Sequence, residues 1–98
     1  MKSYLIANIT VTDPGRYAAY QEQVPAVLAQ YGGRYLVRAG TLQTLEGALP
    51  LDRLVVIEFD SAEAANRFYH SPDYAPLLKL RSETTRSYVA LAQGVASE

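Results

Sequence analysis

The chain has no cysteine and no tryptophan, a single methionine, a single histidine and only two phenylalanines among its 98 residues. Without cysteine there is no disulfide, no thiolate nucleophile and no cysteine-based metal site. A lone histidine without a companion motif offers too few nitrogen ligands for a metal centre, and none is expected. Charge of either sign is nearly balanced, at a formal net of −1, so the sequence carries no electrostatic footprint for nucleic acid or an anionic lipid surface. No apolar run approaches membrane-spanning length, and the opening stretch from Met1 to Asn8 is too short and too soon polar for a signal peptide. A cytoplasmic location is the resulting expectation. Phosphate-cradling glycine loops and serine nucleophile elbows are also missing.

What is present reads as an ordinary folded protein, 49% apolar and 19% charged. The length suits one domain, expected over residues 1–95, with a frayed tail at 96–98. So small a domain buries a modest share of its surface, and oligomerisation is a common way to add core.

Residues Tyr4 to Thr12 alternate, with Leu5, Ala7, Ile9 and Val11 on one face and Tyr4, Ile6, Asn8 and Thr10 on the other, the period of a strand. Asp13 and Pro14 then form a helix start. Tyr17, Tyr20, Val24, Val27 or Leu28, and Tyr31 share a helical stripe that ends at Gly32-Gly33. Pro25 removes one backbone bond and is expected to kink or split this helix near Gln21. A second strand runs from Arg34 to Arg38 and is expected to continue past Gly40 to about Leu45, with a bulge or close approach at Gly40. Glu46 to Pro50 reads as a hairpin loop, and Arg53 to Asp60 as the third strand. Ser61 caps a helix carrying Ala64, Ala65 and Phe68. His70-Ser71-Pro72 interrupts it, and Ser71 or Asp73 restarts a helix with Tyr74, Leu77, Leu78 and Arg81. Ser87 to Gln93 is the last strand.

The order is β-α-β-β-α-β. Its most economical arrangement is α+β: a ferredoxin-like four-stranded antiparallel sheet with both helical segments on one face. The other face would carry Tyr4, Ile6, Asn8, Thr10, Leu54, Val56, Glu58, Tyr88, Ala90 and Ala92. It is too apolar to stand alone in water, and a homodimer through this helix-free face is expected. If Leu45 faces Leu51 across the loop, Glu58 lies directly opposite Arg38, where opposite charges attract.

Several residues are candidates for chemistry, each with a plainer reading. Glu58 with Arg38 makes either a polar spot able to orient a small ligand and move a proton, or an ion pair that fixes sheet register. Asn8, on the same face of the neighbouring strand, completes either a network or a pocket. His70 is a candidate general base, or a favourable cation at a helix end. The eight tyrosines carry the aromatic load of the chain. Tyr17, Tyr20 and Tyr31 read most simply as core, while Tyr69 and Tyr74 flank the interrupted helix and are placed to line a pocket mouth. Arg81 suits either bidentate binding of a carboxylate or a solvated helix face.

As a set, Val11 to Pro14 leading to Tyr17 and Tyr20, Val24-Pro25-Ala26, Tyr31 to Arg38, Val56 to Phe59 with Ser61, and Phe68 to Tyr74 resemble the small bacterial family known as domain of unknown function 1330. The resemblance spans nearly the whole chain and implies the dimeric α/β-barrel superfamily. One departure is that the family often has Arg-Gly-Gly where this chain has Arg38-Ala39-Gly40. Superfamily relatives include cofactor-free monooxygenases, muconolactone isomerases, haem-binding peroxidases and ligand-sensing domains, and fold does not choose among them. The functional expectation is a homodimer binding a small apolar or aromatic molecule without a cofactor. Glu58 and His70 are the candidate catalytic residues, and Asn8, Arg38, Tyr69 and Arg81 the candidate ligand-binding ones. The alternative is a non-catalytic binding module whose polar residues are structural.

Overall fold

The computed structural model describes residues 1–96. Of the expected tail, residues 97 and 98 lie outside the described part. The elements follow in the order β1 (Ser3–Val11), α1 (Pro14–Gln30), β2 (Arg34–Arg38), β3 (Arg53–Phe59), α2 (Ala62–Tyr69), α3 (Ala75–Thr84) and β4 (Thr85–Gln93). The strands form one antiparallel sheet in the order β2-β3-β1-β4. This is the α+β, ferredoxin-like arrangement that the sequence pattern predicts.

The core lies between the sheet and the three helices. Leu5, Ala7 and Ile9 of β1 and Ile57 and Phe59 of β3 pack there against Tyr17, Tyr20, Val24 and Leu28 of α1 and against Ala65, Phe68, Tyr74 and Leu77. Each helix start has a local cause. The Asp13 carboxylate accepts from the Arg16 amide at 3.3 Å, with Pro14 at the first helical position. The Ser61 hydroxyl accepts from the Ala64 amide at 3.1 Å. Ser71 accepts from the Tyr74 amide at 3.0 Å and donates to the Phe68 carbonyl at 2.8 Å, turning the chain from α2 towards α3. At the end of α1, Gly32 takes a positive φ of 78°. Gly33 lies so close to its neighbours that a Cβ would fall 2.3 Å from Leu28 Cδ1, which only glycine avoids.

Pro25 does not split α1, which is continuous from Pro14 to Gln30. The proline leaves the Gln21 carbonyl without its helical donor. Arg38 supplies the missing bond, donating from Nη2 to that oxygen at 2.8 Å.

The second hairpin differs from expectation. β2 ends at Arg38 rather than near Leu45, and residues 39–52 form a loop. The bulge falls at Leu36, between Tyr35 and Val37, not at Gly40. Arg34 therefore faces Glu58 and Arg38 faces Val55. The expected Arg38–Glu58 pair is not formed, because the longer 39–52 loop sets a register in which Arg34 stands opposite Glu58, and the bulge then turns Arg38 to the core face. β4 starts two residues before the expected Ser87, directly after α3. Ala39, the position where the resembled family often has glycine, takes a φ of 54°, the left-handed region that a Cβ disfavours. Replacing Ala39 by Gly is accordingly expected to stabilise the fold by about 0.5–1 kcal/mol, since relief of strain outweighs the added freedom of the unfolded chain. Urea unfolding measures this, and a destabilised variant would contradict the strain at this position.

Candidate functional site

A cavity of about 50 Å³ opens between the sheet and the helices. β1 gives it Leu5, Ala7 and Ile9, and the bulged end of β2 gives it Tyr35, Arg38 and Ala39. Arg53, Val55 and Ile57 come from β3, and Val89 from β4. Tyr17, Tyr20, Gln21 and Val24 descend from α1, and Phe68, Tyr69, Tyr74 and Arg81 close the far side. A cleft of about 150 Å³ adjoins it beside α2 and β4, and Leu5, Tyr69 and Val89 border both spaces.

The polar groups of the cavity form a connected set. The hydroxyls of Tyr20 and Tyr74 are 2.7 Å apart. Arg81 donates to the Tyr74 hydroxyl at 3.4 Å and to the Tyr69 hydroxyl at 3.2 Å. Arg81 is only 7% exposed, and its Nε finds no partner. The buried Nε of Arg53 is likewise unpartnered. Each arginine lies over a tyrosine ring: Arg38 over Tyr35 at 4.8 Å, Arg53 over Tyr17 at 5.7 Å and Arg81 over Tyr69 at 5.9 Å. Burial pushes the hydroxyl pKa values of Tyr20, Tyr74 and Tyr35 up, so all three stay protonated. Among the described residues no carboxylate lines the cavity. Among the described residues the four ion pairs take Lys2, Arg16 and Arg34 as their cations, and none involves Arg38, Arg53 or Arg81.

Of the residues singled out from sequence, Arg38, Tyr69 and Arg81 meet in this cavity. The others stand elsewhere. Glu58 is on the helix-free face, where Arg34 donates to its Oε1 from Nε at 3.0 Å and from Nη2 at 2.9 Å, and Tyr4 donates to Oε2 at 3.3 Å. Asn8, on the same face, clamps the end of the 39–52 loop. Its amide donates to the Pro50 carbonyl at 3.3 Å and its Oδ1 accepts from the Asp52 amide at 2.7 Å. His70 caps the C-terminus of α2 and lies edge-on to Tyr69, in an open surface depression with Glu63, Arg67 and Ser71. Arg53, Tyr17, Tyr20 and Tyr35 were not among the sequence candidates for binding. Arg53 did leave a signal: it is in phase with Val55, Ile57 and Phe59, a charge on the core-facing side of an apolar strand. Among the described residues no three His, Cys, Asp or Glu side chains come together in a way that could hold a metal ion, and no helix is long and apolar enough to cross a membrane.

The model of one protein family, the domain of unknown function DUF1330, matches residues 2–95. The chain belongs to the DUF1330 family. Its fold is the ferredoxin-like one that the resemblance implied. No curated protein matches this DUF1330 chain in sequence. Among solved structures it is similar to RPA0582, a protein of unknown function from Rhodopseudomonas palustris, with a TM-score of 0.78 and 16% identity over 98% of this chain and 84% of that one. It is also similar to SnoaB, a cofactor-independent oxygenase from Streptomyces nogalater, with a TM-score of 0.63 and 16% identity over 98% and 95% of the two chains. HapK from Hahella chejuensis gives a TM-score of 0.66 and 18% identity over 100% and 96%. At such identities these likenesses establish the shared fold.

The Glu58 cluster makes a test of its own. The hydrogen bond from Arg34 holds the Glu58 carboxyl below its ordinary pKa, and Lys2 with Arg34 does the same for Asp60. A depressed carboxylate contributes stability above its ordinary range and loses it as the pH falls through the folded-state value. Glu58→Gln is therefore expected to melt below the parent at neutral pH and to converge with it as the pH falls through the lowered folded-state value. Thermal denaturation across that range checks this. A constant offset would assign the loss to packing instead.

Proposed function

We propose that the protein, as one ferredoxin-like domain over residues 1–95, is a cytoplasmic homodimer that binds a small apolar or aromatic molecule in the cavity between sheet and helices. The observation that carries this reading is the cavity itself: an aromatic and aliphatic enclosure with a few convergent polar groups, which is the usual make-up of a small-molecule site. Arg38, Tyr69 and Arg81 are its ligand-binding residues. A space of about 50 Å³ holds a few waters, whereas a benzene ring fills a cavity of roughly 150 Å³. Tyr69 is the shared wall with the larger cleft, so its rotation joins the two spaces and admits a ring. The exposed Arg38 and half-buried Gln21 stand at the rim.

The homodimer rests on the helix-free face. Ile6 is 38% and Tyr88 79% exposed there, alongside Val56, Ala90 and Ala92. A second copy covering this face would bury the patch and enclose the Glu58 cluster.

Two forms of the reading differ in chemistry. The enzymatic form is cofactor-free oxygenase or isomerase chemistry, which the likeness in fold to SnoaB supports only by analogy. Glu58 and His70 are its proton-moving candidates, and both stand outside the cavity of their own subunit. The non-catalytic form is favoured by one observation. Glu58 is fully engaged by Arg34 and Tyr4, as a structural ion pair would be.

Two outcomes are expected. In a thermal-shift screen of small aromatic acids, quinones and lactones, at least one compound raises the melting temperature. Val89→Phe, which fills the border of both spaces, removes that shift, and a shift that survives it would place the ligand elsewhere. Sedimentation at micromolar concentration is expected to give a dimer that Ile6→Glu dissociates. A lone subunit in the parent protein would remove the homodimer.

A further inference from the structure

We infer that the molecule taken up by this cavity is an anion, a planar ring bearing a carboxylate or an ionised acidic hydroxyl, and that Arg53 and Arg81 hold its charged group. This rests on the cavity reading above and names its ligand class. Among the described residues, three arginines line one small space without a carboxylate, and none of them forms an ion pair. Removing a cation from water is costly unless it is paired. Arg81 is withdrawn from solvent to 7% exposure. Of its five N–H donors it directs two at tyrosine hydroxyls, at 3.4 and 3.2 Å, and leaves Nε without a partner. Arg53 likewise turns a buried, unpartnered Nε–H inward from the core-facing side of β3.

The hydroxyls do not supply the missing negative charge. Burial keeps those of Tyr20, Tyr35 and Tyr74 protonated, so the cavity's polar side chains are guanidinium and hydroxyl donors together with the Gln21 amide. A pocket of donors is complementary to a group rich in acceptors. Guanidinium matches a planar anionic oxygen group in two parallel hydrogen bonds, which a neutral amide cannot reproduce. The remaining walls, from Tyr17 and Phe68 to Val24 and Ile57, suit the flat apolar body of a ring. Among the described residues neither aspartate, glutamate nor histidine reaches this space to take a proton. An acidic hydroxyl would therefore lose its proton to solvent as it binds.

The test uses matched pairs: benzoate with benzamide, 2-naphthoate with 2-naphthamide, and 4-nitrophenol as the acidic hydroxyl. Calorimetry on the full chain is expected to show at least one acid binding about tenfold tighter than its amide. Arg53→Met and Arg81→Met should each lower the ratio of acid to amide affinity. With 4-nitrophenol, binding should draw the absorbance of the ionised form at a pH where the free compound is neutral. Preference for the carboxylates without this ionisation would also support the proposal and limit it to acids. Should Arg81→Met not fold, Arg53→Met and the charge-conserving Arg81→Lys carry the test, the latter keeping part of the preference. Equal binding of acids and amides, abolished by Val89→Phe, would overturn the anion while leaving the cavity reading intact. Absence of binding by every probe would overturn both.

Discussion

A buried guanidinium held only by phenols organises the helical layer. Arg81 of α3 reaches Tyr69 at the end of α2 and Tyr74 at the start of its own helix, and Tyr74 passes the contact to Tyr20 of α1. All three helices thus meet over the sheet through one polar chain. Hydroxyl groups satisfy a cation's hydrogen bonds without neutralising it. Among the described residues no carboxylate pairs with Arg81, so the hydrogen bonds that tie the layer leave its charge without an ion-pair partner. Low local polarity strengthens the hydrogen bonds that are made and raises the cost of those that are not.

A single extra residue in β2 brings the sheet's contribution to the same place. The bulge at Leu36 puts Tyr35 and Arg38 on one face although they are three residues apart. Arg38 then closes the gap that Pro25 leaves in α1, at the Gln21 carbonyl. A helix with a missing bond and a strand with a surplus residue correct one another. The same bulge leaves Glu58 to Arg34 on the opposite face, separating an ion-paired cluster from the basic cavity. Two chemistries thus occupy the two sides of one sheet.

Much of this was legible in the residues. Alternation in β1 and β3, the caps at Asp13 and Ser61, and the Gly32-Gly33 stop carry the element order and, through it, the topology. Arg38, Tyr69 and Arg81 were picked out by residue type and converge in one cavity. The β2–β3 register was not legible, because a bulge at an ordinary leucine leaves no mark, whereas Gly40 offered a conspicuous and misleading one. Reading Glu46 to Pro50 as the hairpin loop put Arg38 beside Glu58, whereas the connection spans 39–52. Residues 39–52 form a loop with Leu42, Leu45 and Leu49 turned to solvent, where a longer second strand was expected. Arg53 was overlooked although its phase is explicit. Tyr20 and Tyr74 could not be joined from sequence, since their contact spans 54 residues.

The most direct measurement is nitrogen-15 NMR of the arginine Nε–H groups, which reports each guanidinium separately. The account predicts that the Arg53 and Arg81 signals move on addition of an aromatic carboxylate while that of Arg34, engaged with Glu58, stays put. Perturbation confined to Arg34, with Arg53 and Arg81 unmoved at saturation, would contradict it.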